Sequence, residues 1–249
     1  MRRKIGKGLA LALLFLAGAL SALPASWLSW PVARLSDRHW DVNEAKGTVW
    51  NGSAQLVYLG PSGEVQTMSP LAWQWQPRAL LSGLLVWHVD SAGQPGLVQL
   101  GFGMQEVRGL AVSLPVAALA NLSKTWQAAR LGGELQLNIP QLARQGKTIS
   151  GSAQVLWRGA STPLTTALPF GSYQLDLSGT PQGLSLNLST LEGPLMLNGQ
   201  GSWPANGAFH MAGTADSPPD KYDALKPLML MLGQPSGPTS VSWQSKTGM

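Results

Sequence analysis

The chain is 249 residues long, contains no cysteine, and carries charge on only 12% of its residues, with 17 Lys and Arg against 12 Asp and Glu. That length suffices for one large domain or two small ones, and the lack of thiols excludes disulfides, thiolate metal sites and cysteine nucleophiles. The net charge of +5 does not form a nucleic-acid-binding face, because four of the basic residues crowd into the first eight positions and the rest are scattered.

Those four, Arg2, Arg3, Lys4 and Lys7, precede an uncharged, mostly apolar run over residues 8–23. At a 1.5 Å rise per residue the run covers about 24 Å, a little short of a ~30 Å hydrocarbon core. Lys7 can snorkel at one end, and Trp27 and Trp30 can sit in the opposite interface. The pattern predicts a single transmembrane helix with residues 1–7 in the cytoplasm and everything after it exported. A cleaved signal peptide has the same basic and apolar regions. Pro24 and the aromatic stretch Trp27-Leu28-Ser29-Trp30 favour retention.

Residues 24–46 form a juxtamembrane segment, with a short helix expected over 31–40 because Pro31 suits a first turn and Val32, Leu35 and His39 share a face. From residue 47 onward the chain is strand-like. Asn51-Gly52 signals a hairpin or bulge. Residues 68–76 alternate with Trp73 and Trp75 on one face, 77–82 suit one helical turn, and 84–89 suit a buried strand before a turn at 92–96. Later segments alternate at period two, as in Leu135-Gln-Leu-Asn-Ile139, Tyr173-Gln-Leu-Asp-Leu177 and Leu184-Ser-Leu-Asn-Leu188, with Gly or Pro between them. Strands about ten residues apart describe an antiparallel meander. Two helices interrupt it, one over 115–130 and one over 219–232, the latter through Leu225, Leu228, Met229 and Leu232 with a kink at Pro227. The fold class is therefore mainly β: a transmembrane helix followed by an antiparallel β-sheet domain with two or three short helices. Asn51-Gly-Ser-Ala-Gln-Leu56 is echoed by Ser150-Gly-Ser-Ala-Gln-Val155. Two similar halves, 47–145 and 146–249, would explain the echo, and so would the limited vocabulary of β-hairpins.

Sites of chemistry are not apparent. His39, His88 and His210 lie in different elements, with no partner at metal-ligand spacing. The glycine-rich pieces lack a phosphate-loop pattern, and there is no G-x-S-x-G serine elbow. No catalytic, cofactor-binding or metal-ligating residue is expected. Asp216 and Asp220 are better suited to capping the following helix than to holding a cation. The eleven tryptophans allow two readings, packing in a core or a stripe on an exposed groove. Trp27, Trp30, Trp73 and Trp75 are the candidate interface aromatics.

Several pieces in order carry a family resemblance: the basic end and apolar span, Gly47-Thr-Val-Trp50-Asn-Gly52, Leu114-Pro115, Gly132-Gly133-Glu-Leu-Gln-Leu-Asn-Ile-Pro140, Gly151-Ser-Ala-Gln-Val-Leu-Trp157-Arg158, Leu168-Pro-Phe-Gly171-Ser-Tyr173, Leu191-Glu-Gly193-Pro-Leu195 and Leu197-Asn-Gly-Gln-Gly201-Ser-Trp203. The chain resembles type II secretion system protein N over nearly its whole length. The resemblance implies a non-enzymatic, single-pass protein of the bacterial inner membrane, with residues 47–249 as a β-rich periplasmic domain and other secretion subunits as partners. It implies no functional residues. More loosely, the domain is similar to the repeating sheets of AsmA-type lipid-handling proteins. The expected function is an accessory subunit in the export of folded periplasmic proteins. A module that handles lipid is the alternative. An apolar groove opposite the core would favour lipid, whereas Ser, Gln and Asn at those positions favour docking of partners.

Overall fold

The computed structural model describes residues 18–247 apart from 61–62, 64 and 123–127, together with residue 15. Among the described residues no helix is long and apolar enough to cross a membrane. Most of the expected span over 8–23 lies outside them; residues 18–21 are helical.

The described residues form a 14-stranded antiparallel sheet in which strands follow one another almost entirely in chain order. Its first part contains β1 (Trp40–Gly47), β2 (Asn51–Leu59), β3 (Val65–Trp75), β4 (Leu84–Ser91), β5 (Gln94–Gly101), β6 (Met104–Pro115) and β7 (Gly132–Gln145). The second part contains β8 (Thr148–Ser161), β9 (Gly171–Thr180), β10 (Gly183–Glu192), β11 (Met196–Pro204), β12 (Phe209–Asp216), β13 (Gln234–Pro235) and β14 (Ser240–Thr247). The only departure from chain order is that β14 lies between β12 and β13. β7 pairs with β8 directly across residues 145–148, so both parts belong to one sheet.

The period-two sequence places alternate residues on opposite faces, and the register shows the result. Val112, Leu137, Val155, Leu175 and Leu188 are opposite one another on successive strands, and the row continues through Gly199 and Gly213 to Trp243. The neighbouring row, on the other face, is Ala111, Asn138, Gln154, Asp176, Asn187, Gln200, Ala212 and Gln244. One face is aliphatic and the other is amide-rich with little charge, which is where the low charged fraction goes. Within the polar row the Gln154 amide donates to the Asp176 carboxylate at 3.0 Å.

The two echoed segments share a backbone device. Ser53 is opposite Lys46 and Gln55 is opposite Asn43, so two residues of β1 face one of β2, a bulge with one extra residue. Ser152 is opposite Gln141 and Gln154 is opposite Asn138, with the same one-residue surplus in β7. The central alanines Ala54 and Ala153 are both buried. The G-x-V-W-x-G piece is the turn between β1 and β2. There Gly47 has φ +81°, and a Cβ on it would lie 2.4 Å from the Asn51 carbonyl oxygen.

The helices depart in detail from expectation. The first, α1 (Ser29–Leu35), ends early because β1 begins at Trp40, paired with Tyr58. Residues 115–130 do not begin as an α-helix: Pro115 still pairs with Glu134 in the sheet and Val116–Leu122 follows as a 3-10 segment, while of the described residues after it 128–129 are helical. Residues 77–82 form the expected turn, as 3-10 helix. In the segment over 84–89 only Val86 is buried. The last helix, α2 (Tyr222–Leu232), contains Pro227 and ends at Gly233. Its N-cap is Lys221 without a side-chain cap bond, so neither Asp216 nor Asp220 caps it. Asp220 instead lies 3.7 Å from the Lys221 ammonium on the surface.

α2 packs on the aliphatic face of the second part. Leu225 and Met229 are fully buried against Phe170, Tyr173, Leu195, Ala215 and Val241, with Trp157 and Trp243 at the margin. Burial pushes the Tyr173 hydroxyl's pKa up. That hydroxyl donates to the Leu195 carbonyl at 2.9 Å, which satisfies it without water.

Candidate functional site

Among the described residues the aliphatic face of the first part of the sheet is covered by α1 and not by a helix packed as closely as α2. β4 and β5 have eight residues each, whereas β3 has eleven and β6 twelve. The β4–β5 hairpin therefore stops at Ser91–Gln94, and the ends of β3 and β6 curl towards each other beyond it. Met68 and Ser69 of β3 and Ser113 and Leu114 of β6 line the same groove as a result.

The groove has a volume of about 490 Å³. Its walls are mainly Leu56 of β2, Leu71 of β3, and Val112 and Leu114 of β6, and α1 roofs it with Val32 and Leu35. Leu35 is 88% exposed, so it stands at the rim. Among the described residues no charged side chain lines the groove; its polar groups are the hydroxyls of Ser36, Ser69, Ser91 and Ser113 and the indole of Trp40. Two of these are engaged already. Ser36 donates to the Val32 carbonyl at 2.6 Å, and Ser113 donates to the Glu134 carboxylate. The Ser113 bond, helped by the Gln136 amide, holds the Glu134 carboxyl below the usual carboxylate range. Tyr58, nearly inaccessible, donates to the Ala117 carbonyl at 2.9 Å and ties the 3-10 segment to β2. Beyond the hairpin tip the groove shares walls with a more polar porch of about 550 Å³ at Gln66, Thr67 and Glu134.

The expected site residues fall into three groups. Arg2, Arg3, Lys4 and Lys7 lie outside the described residues. Trp27 and Trp30 are 65% and 74% exposed, and Trp30 shares a surface shelf with Arg34, Asp37 and Arg38 on the side of α1 away from the groove. Trp73 and Trp75 are half-buried in the sheet. The Trp73 indole donates to the Val49 carbonyl at 3.0 Å, and its ring covers Gly52. The Trp75 ring lies 4.9 Å from that of Trp50. These two do packing work, and only Trp27 and Trp30 present free aromatic surface.

Among the described residues there is no group of three or more His, Cys, Asp or Glu that could hold a metal ion. One buried carboxylate escaped sequence reasoning. Glu106 accepts from Arg108 Nε at 2.6 Å and from Gln141 Nε2 at 2.8 Å. The Arg108 guanidinium bond, with the Gln141 amide, holds its carboxyl below the usual carboxylate range, against the opposing effect of burial. A carboxylate lowered on folding stabilises the fold above its unfolded pKa and loses that contribution as pH falls through the folded value. Glu106→Gln is therefore expected to flatten the acid limb of a stability–pH curve, read as urea midpoints from neutral pH downward.

Residues 38–244 match the family model of type II secretion system protein N. The chain belongs to that family. The match runs from just before β1 to Gln244 in β14, so it takes in the sheet walls of the groove and α2 but not α1. The G-x-V-W-x-G turn, the β7–β8 bulge and the Trp243 row all lie within the protein N region. No curated protein and no solved structure matches the chain.

The groove itself was missed because it belongs to no motif. Its one sequence signal is the unequal length of neighbouring alternating runs, visible only once the strands are paired.

Proposed function

We propose that this chain is an accessory inner-membrane subunit of the type II secretion machinery, and that it contributes, without catalysis of its own, to the export of folded periplasmic proteins across the outer membrane. The observation that carries this is the protein N family match over residues 38–244. Residues 8–23 serve as the anchor, with Arg2, Arg3, Lys4 and Lys7 on the cytoplasmic side and the sheet in the periplasm. The exposed Trp27 and Trp30, just after the apolar run, support that placement, since tryptophan favours the membrane–water interface.

Docking would use the sheet's end. Among the described residues β13 pairs only with Val241 and Ser242 of β14, and no described strand covers the outer edge of β14 beyond them, which suits strand addition by a partner. A photo-crosslinking residue at Gln244 of the full chain in native membranes is expected to trap another secretion subunit. Adducts with no secretion subunit would defeat the docking reading, and release of the chain by alkaline carbonate would defeat the anchoring. A second reading, a module that handles lipid, is favoured by the apolar groove.

A further inference from the structure

We propose that the groove beneath α1 takes one acyl chain of a bilayer phospholipid. This rests on the anchoring reading, in which α1 follows directly from a membrane span.

Volume and lining favour an apolar guest. Ligand sites occupy roughly 300–1,000 Å³, and this groove falls inside that range at about 490 Å³. Leu56, Leu71, Val112 and Leu114 offer water no partners, and two of the four serine hydroxyls are engaged within the protein. Water in such a space has little to bond to, so an apolar occupant gains by displacing it. An extended peptide fits less well. Each of its residues would bring an amide and a carbonyl that need partners, whereas an acyl chain brings none.

The same face of the sheet shows what such a surface does when the protein supplies its own cover. Val112 in the groove and Trp243 beside α2 are ends of a single cross-strand row. At the Trp243 end, Leu225 and Met229 of α2 fill the space. At the Val112 end no part of the described chain does so.

Position points to the bilayer as the source. α1 is two-sided. Val32, Leu35 and Ser36 face the groove, while Trp30 and Arg34 lie on the opposite side, the pairing of aromatic and snorkelling cation that suits a membrane surface. Leu35, almost fully exposed at the rim, continues the apolar wall outwards. The groove's mouth thus opens beside the segment that the anchor holds against the lipid.

The test uses the full chain in nanodiscs of phosphatidylethanolamine and phosphatidylglycerol, doped with a phospholipid bearing a diazirine near the end of one acyl chain. After illumination, adducts are mapped by peptide mass spectrometry. Adducts are expected on the segments that carry Leu56, Leu71 and Val112 as well as on residues 8–23. Leu71→Trp, which fills the groove, is expected to abolish the first set and leave the second. Ala111→Phe, on the polar face, is expected to leave both. Circular dichroism verifies that each variant is folded. If folded wild-type chain gives adducts on residues 8–23 alone, the groove does not hold an acyl chain. If it gives adducts nowhere, the anchoring fails along with this proposal.

Discussion

Trp243→Ala is expected to lower the stability of the full chain by about 3–5 kcal/mol, the usual cost of removing a large aromatic from a packed site. The reason lies in the row that Trp243 ends. The two preceding positions are Gly199 and Gly213, and the indole lies flat where their side chains would stand. A Cβ on Gly199 would come within 2.6 Å of the ring, and one on Gly213 within 2.8 Å. Removing the ring uncovers Gly199 and Gly213, which have no side chains of their own to fill the space. The measurement is urea unfolding followed by far-ultraviolet circular dichroism, which does not depend on the lost fluorophore.

A double-mutant cycle sharpens the expectation. Gly199→Ala should be costly in the wild type, where the new methyl meets the ring. It should cost much less beside Trp243→Ala, where the ring is gone. Two residues that touch are coupled in this way, and two that do not are additive. Trp203 provides the contrast. It is 51% exposed and makes only an edge contact with Phe209 at 6.3 Å, so Trp203→Ala should cost under about 1 kcal/mol.

Much of the sheet was legible in the residues. Leu135-Gln-Leu-Asn-Ile139 and its relatives alternate because one face is aliphatic and the other carries amides, and the structure pairs them so that both rows stay in register. The helix over Leu225, Leu228 and Met229 was legible for the same reason, a periodic apolar face that a large buried area rewards. Reasoning failed where tertiary pairing overrode local pattern. Val116, Leu119 and Leu122 have helical spacing, yet Pro115 is still paired to Glu134, and the chain leaving the sheet over Val116–Leu122 is a 3-10 segment. Asp220 has the chemistry of a helix cap but sits one residue too early for the N-cap at Lys221. The tryptophans divided as no composition could foretell: Trp73 and Trp243 cover glycines, whereas Trp27 and Trp30 are exposed. The groove was least legible of all, since it arises from the curl of β3 towards β6 and not from any residue type.

Met229→Ala tests whether the two parts of the sheet are stabilised separately. Met229 and Leu225 are fully inaccessible in α2, and truncating such a side chain costs about 2–5 kcal/mol. Met231 on the same helix is 54% exposed, so Met231→Ala should fall within about 0.5 kcal/mol of wild type. In a meander each strand pairs only with its neighbours, so a loss at one end propagates weakly. Hydrogen exchange is therefore expected to quicken across β9–β12 and β14 in Met229→Ala while β2–β5 keep their protection. Uniform quickening across all strands would mean that the sheet opens as one unit. The expected pattern follows from how each part is covered. α2 fills the second part with side chains of its own, whereas the first part is closed by Tyr58 and roofed by α1 around a groove that no described side chain fills. A sheet that finishes its own core at one end and leaves it unfinished at the other can fold stably and still accept a guest.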